Sequence, residues 1–168
     1  MIYIFGIMLL MYFFLYAIKY RKYDKKTLVL NTLLYFYVWL ILFMTIIPLN
    51  FSLNPNWQTV EPIKYPFENL KPYNDLLLGR KGSIIDIVLN LLMMIPFTFF
   101  YSYVNENVNI LKITITTFLF SLFIESVQLV TTIFFVYGRN FDVTDIINNT
   151  IGGIIGYIIY KTVLYIKR

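Results

Sequence analysis

Polar and ionisable side chains are scarce in this chain and gather late in it. Ser121, Glu125, Gln128 and Thr132 recur at i, i+4, i+7 and i+11, which writes a polar stripe along one side of an otherwise apolar helix. Arg139 follows Gly138, and Asp142, Asp145, Asn149, Gly152 and Gly156 continue at spacings of three or four. Asp86 and Asn90, four residues apart, share a helix face upstream. The chemistry open to these residues is narrow. With no Cys and no His, disulfides, thiolate zinc sites, Cys–His pairs and Ser–His–Asp triads are excluded. Carboxylates, amides, hydroxyls and a guanidinium remain. Glu125, desolvated among Ile, Phe and Val, is a candidate general acid or base, and Asp142 with Asp145 is a candidate pair for an oxygen-liking cation such as Mg2+. No resident metal or cofactor is otherwise expected.

The elements that position these residues are membrane helices. Of 168 residues 59% are hydrophobic and 14% charged, and the mean hydropathy is +0.69, outside the range of ordinary soluble domains. Apolar stretches near the roughly 20 residues that cross a bilayer fall at 2–18, 28–49, 84–103, 110–136 and 143–160. The expected fold is a single all-α, polytopic membrane domain of about five spans, with one large outer loop at 50–82. An ionised residue at the centre of such a helix costs on the order of 3 kcal/mol, so the polar stripe must face protein or a wet cavity.

Residues 1–18 begin without charge and the basic cluster follows them, the reverse of a secretory signal, so the first span is expected to be retained. Lys19, Arg21, Lys22, Lys25 and Lys26 stand against Asp24 alone, and basic short loops stay on the cytoplasmic side. The expected N-terminus is therefore outside and the C-terminus inside, in a bacterial cytoplasmic membrane. Nine Lys and Arg then lie inside and five outside. A net charge of +5 placed at helix ends points to lipid headgroups, not nucleic acid.

Five of the six prolines, Pro48, Pro55, Pro62, Pro66 and Pro72, fall at 48–72, where continuous helix is not expected. Trp57, Tyr65, Phe67 and Tyr73 punctuate this segment and suit the headgroup region of the outer leaflet. Pro96 lies inside the third span and is expected to kink it or leave a carbonyl unpaired. Gly152 and Gly156 form a small-xxx-small pair suited to close helix approach, and Asp142 is either a ligand or the N-cap of the last helix. Counted down from residue 136, Glu125 is expected about 16 Å deep. Asp86, Asn90, Arg139, Asp145 and Asn149 would then form the walls of an outward-facing funnel, with Glu125 and Gln128 as its floor.

At these residues the chain resembles the VanZ-like family of small bacterial membrane proteins. The similarity rests on Asn69-Leu70-x-Pro72-Tyr73, on Asp86-x-x-x-Asn90 followed by Pro96, on Glu125-x-x-Gln128, and on the ordered series from Gly138-Arg139 through Asp142, Asp145, Asn149 and Gly152 to Gly156. It runs over residues 69–156. Thr98 departs from it, standing two residues after Pro96 where the family commonly has Gly. The resemblance implies a multi-span envelope protein associated with low-level resistance to teicoplanin-type glycopeptides.

Three functions compete. A non-enzymatic protein would bind a lipid or a lipid-linked peptidoglycan precursor at the outer face, through Arg139 and the Asn69–Tyr73 loop, Pro72 included, among others; a fixed guanidinium fork suits phosphate oxygens. An intramembrane enzyme would act on a lipid-linked substrate through Glu125. A small transporter would use the same acids, but no inverted repeat supports it. The first is preferred, which makes the chain more a binder than an enzyme, with a homo-oligomer left open.

Overall fold

The computed structural model describes residues 2–46, 68–105, 107–135 and 141–166. Its elements are α1 (Ile2–Ile18), a 3-10 turn (Tyr20–Lys22), α2 (Lys25–Ile46), a second 3-10 turn (Glu68–Leu70), the short α3 (Asn74–Leu77), α4 (Ser83–Val104), α5 (Ile110–Phe135) and α6 (Val143–Ile166). Among the described residues there is no strand. Three helices are long and apolar enough to cross a membrane, over Lys25–Thr45, Ser83–Val104 and Ile110–Val130, and a shorter apolar stretch covers Gly6–Ile18. The helix at 143–166 forms as expected, but Thr144, Asp145, Asn148, Asn149 and three glycines make it less apolar than these.

The packing is inverted relative to a soluble domain. Leu10, Phe14, Leu89, Leu92, Leu111 and Leu119 are exposed, whereas Thr98, Ser102, Thr117, Ser121, Glu125 and Asn149 are buried. Long helices that turn hydrocarbon outward and amides inward are solvated by lipid.

α1 and α2 pair through hydroxyls: Tyr12 Oη lies 2.8 Å from Thr32 Oγ1, and Tyr35 Oη donates to the Met8 carbonyl at 2.7 Å. The Asp24 carboxylate starts α2 by accepting the N–H groups of Lys26 and Thr27 at 3.0 and 3.2 Å. Tyr37 Oη then ties α2 to α4 through the Met93 carbonyl at 2.8 Å. Ile41, Met94, Phe97 and Ile124 form one apolar cluster between α2, α4 and α5, and Val108, Ile113, Tyr157 and Tyr160 form a second at the opposite end.

α4 and α6 pack most closely, and glycine is the reason. A Cβ on Gly152 would run into the backbone of Leu91, and one on Gly156 into Ile95 and the Thr98 hydroxyl. On another face of α6, a Cβ on Gly153 would strike Thr117 of α5. The expected glycine pair therefore does bring a helix close, and Gly153 does the same for a second neighbour. Thr98, the departure from the family pattern, is fully buried over Gly156, and its hydroxyl donates to the Met94 carbonyl at 3.1 Å and lies 3.2 Å from the Ile95 carbonyl. Helix α4 runs through Pro96 without ending. Pro96 withholds only the N–H that the Leu92 carbonyl would have accepted.

Candidate functional site

Register among the last three long helices fixes the depth of the polar stripe. Gly152 opposite Leu91 and Gly156 opposite Ile95 make α4 and α6 parallel. Gly153 opposite Thr117, and Asn149 Nδ2 donating to Ser121 Oγ at 2.8 Å, make α5 antiparallel to both. Stepping on by one turn brings Glu125 level with the first turns of α4 and α6. Along α5 itself Glu125 lies ten residues, about 15 Å, from the end at Phe135, close to the count from residue 136, while α4 and α6 begin level with it.

Glu125 is 2% exposed, and its Oε2 accepts the backbone N–H of Asp142 at 3.0 Å. Asp142 is the N-cap: its Oδ1 accepts the Thr144 N–H at 2.7 Å. Its other oxygen, Oδ2, accepts from Asn69 Nδ2 at 2.9 Å. The same Asn69 nitrogen lies 3.2 Å from Asp75 Oδ2, and Asp75 Oδ1 pairs with Arg80 Nη1 at 2.8 Å. Thus the loop before α4 is joined to the start of α6 and, through Glu125, to α5.

Tyr73 reinforces the junction. In the turn closed by the Asn74 N–H and the Lys71 carbonyl at 3.2 Å, Pro72 is second and Tyr73 third, with Tyr73 at φ 58 and ψ 25. A type II turn wants positive φ at that position, usually supplied by glycine, so a tyrosine there is strained. Contacts hold it: its N–H donates to Thr144 Oγ1 at 2.8 Å and its hydroxyl to Asn148 Oδ1 at 3.3 Å. Pro72 itself is exposed.

The structure thus brings together Asn69, Glu125, Asp142 and, one turn further in, Asn149. Gln128 is buried, and its Nε2 donates to the Thr45 carbonyl at 2.7 Å, joining α5 to α2. Asn90 lies apart from Glu125, lining a largely apolar groove of about 450 Å³ between α2 and α4 with Leu89, Leu92, Met93, Met44 and Thr45. Asp86 is exposed on α4 and outside the cluster. Asp145 is half-buried in the first turn of α6, where a negative charge suits the helix N-terminus. Among the described residues, no three acidic side chains gather as a metal site would require. Arg139, with Gly138, the aromatics Trp57, Tyr65 and Phe67, and the side chain of Thr132, lies outside the described residues.

The sequence pattern singles out Tyr73 with Asn69 and Pro72, but not Asp75, Thr144 and Asn148, as members of the cluster. Asn148 was legible in principle, because it stands beside Asn149 in a helix otherwise rich in Ile. A notable set of atoms results. Asn69 Oδ1, Asn148 Nδ2 and Asn149 Oδ1 are buried and have no hydrogen-bond partner among the described residues. Buried amide groups are nearly always paired in folded proteins, so three such atoms at one end of the bundle mark a place where polar groups are held ready.

No curated protein and no solved structure gives a significant match. The VanZ/LLP1 family matches residues 1–165, extending past the motif region to include α1 and α2. With its apolar helices turned outward and its buried amide and carboxylate junction, this membrane protein belongs to the VanZ/LLP1 family.

Proposed function

We propose that the chain is a five-span protein of the bacterial cytoplasmic membrane that binds a lipid-linked cell-wall precursor at its outer face and so lowers susceptibility to teicoplanin-type glycopeptides. The observation that carries this reading is the set of buried amides, Asn69, Asn148 and Asn149, which offer one donor and two acceptors to a neutral polar headgroup. Hydroxyls and amides of a sugar or peptide would complete those bonds. Leaving them unmade costs about 1–3 kcal/mol each. The groove beside Asn90 suits the apolar part of the same ligand, since Gln128 ties its wall at Thr45 to the polar stripe. Arg139 is proposed to contact the phosphate, and Asp86 and Asp145 to lie at the rim.

Glu125 holds the start of α6 through one carboxylate oxygen, which supports a positioning part over proton transfer. Binding, not turnover, is therefore the preferred reading.

The test is expression in a susceptible host with tolerance measured to teicoplanin and vancomycin. Protection should be larger against teicoplanin and should fall in Asn148→Leu and Asn69→Leu at unchanged protein level. Full protection in both variants would remove the amides from the function. Altered lipid precursors in cells expressing the chain would replace binding with catalysis.

A further inference from the structure

At the end of the bundle away from Glu125, a second groove of about 510 Å³ opens between α2, α4 and α6. Val29, Leu30, Phe99 and Val163 make its walls, Tyr103 also lines it, and Lys25 and Lys26 stand at its mouth. We infer that this groove binds an anionic phospholipid of the leaflet that holds the start of α2, with its phosphate on Lys25 and Lys26 and an acyl chain along Val29, Leu30, Phe99 and Val163.

The charge arrangement argues for an anion. The first turn of α2 carries these two lysines and no acid, and positive side chains at a helix N-terminus oppose its dipole. Among the described residues, Asp24 is the carboxylate beside the first turn of α2, and its Oδ2 accepts the N–H groups of Lys26 and Thr27. Lys26 Nζ lies over the Tyr103 ring, 5.0 Å from its centroid. Tyr103 meets Tyr160 edge to face at 6.0 Å, and Lys161 Nζ sits 5.8 Å from the Tyr160 centroid. Two cations thus flank one aromatic shelf. Among the described residues, no carboxylate lies within ion-pairing distance of the side chains of Lys25, Lys26 or Lys161.

The groove argues for a lipid over a free anion. Its size is in the range of small-molecule sites, and its surface is mostly hydrocarbon, which a phosphate ion would leave uncovered. A phospholipid satisfies both halves with one molecule. The two ends of the protein then carry different chemistry, amide-lined at Asn148, cationic and aromatic at Lys26.

Native mass spectrometry of the full chain, titrated with phosphatidylglycerol and with phosphatidylcholine of the same acyl chains, tests this. Phosphatidylglycerol should be retained at a concentration on the order of tenfold lower, because two lysines favour its net negative headgroup over the zwitterion, whose choline offsets the phosphate. Lys25→Gln with Lys26→Gln should abolish the preference, whereas Arg21→Gln with Lys22→Gln, outside the groove, should keep it. Val163→Trp, which fills the groove and leaves the charges, should reduce retention of both lipids. Equal retention of the two lipids by the unaltered chain would overturn the proposal. So would loss of the preference in the Arg21, Lys22 variant, or displacement of phosphatidylglycerol by equimolar inorganic phosphate. Should Val163→Trp fail to fold, the two charge variants decide alone.

Discussion

Glu125 and Asp142 are joined through the main chain: a side-chain oxygen of α5 accepts the N–H of the residue that caps α6, at 3.0 Å. The carboxylate therefore holds a helix start in place. Glu125→Gln keeps a carbonyl oxygen for the Asp142 N–H, and Glu125→Ala removes the acceptor. The expected outcome is near-native melting of the Gln variant in detergent and a loss of about 1–3 kcal/mol in the Ala variant. Equal losses would show that the charge, not the acceptor, is what matters.

Gly152 and Gly6 make a controlled pair. A Cβ on Gly152 meets the Leu91 backbone, which cannot rotate away, whereas one on Gly6 meets nothing within 4 Å. Gly152→Ala should cost about 1–3 kcal/mol by forcing α4 and α6 apart, while Gly6→Ala should be close to neutral. Thermal unfolding in one detergent checks the difference.

Thr144 gives the strained Tyr73 turn its anchor, accepting the Tyr73 N–H at 2.8 Å. Thr144→Ser keeps the hydroxyl and should be tolerated. Thr144→Val should release the turn and speed chymotryptic cutting after Tyr73, which lies within it. Identical cutting rates would mean that Asn69 and Asp75 hold the loop without this bond.

The start of α2 should respond to acid. Hydrogen bonds from Thr27, side chain first and then backbone, hold the Asp24 carboxyl below its ordinary value. A carboxyl lowered in the folded state adds stability above its unfolded pKa, and that contribution disappears as pH falls through the folded value. Amide exchange over the first turn of α2 should therefore quicken below the usual carboxylate range. Asp24→Asn should remove this dependence while keeping a cap.

Because the chain has no cysteine, topology can be read directly. Single cysteines at Leu77 and Asn107, at opposite ends of α4, should react with an impermeant maleimide in intact cells at Leu77 only. Labelling of Asn107 alone would reverse the proposed orientation.

Helix content was largely legible because hydropathy reports it directly. The stretches read at 84–103 and 143–160 became Ser83–Val104 and Val143–Ile166, with end shifts of zero to six residues. The polar face of α5 was legible too, since Ser121, Glu125 and Gln128 are all buried as their spacing required. Partnership was not. No periodicity in one helix tells where its neighbours begin, so the place of Glu125 beside the cap of α6 cannot be read from α5 alone. Asp86 is exposed and Asn90 lines the groove between α2 and α4, places that their spacing along α4 does not reveal. Tyr73 was recognised as a motif residue, yet its left-handed backbone depends on contacts to Thr144 and Asn148 that lie some seventy positions away.

The glycine-rich, amide-bearing α6 has a consequence for biogenesis. It is made after α4 and α5 and is poorly suited to leave the translocon alone, because Asn148, Asn149 and the bare backbone at Gly152 and Gly156 would meet hydrocarbon. Its neighbours offer Ser121, the Leu91 and Ile95 backbone and Thr117 as ready partners. Membrane entry of the last helix is therefore expected to depend on the two before it. A glycosylation-mapping assay should show the isolated 143–166 segment inserting poorly and the same segment inserting efficiently behind α4 and α5.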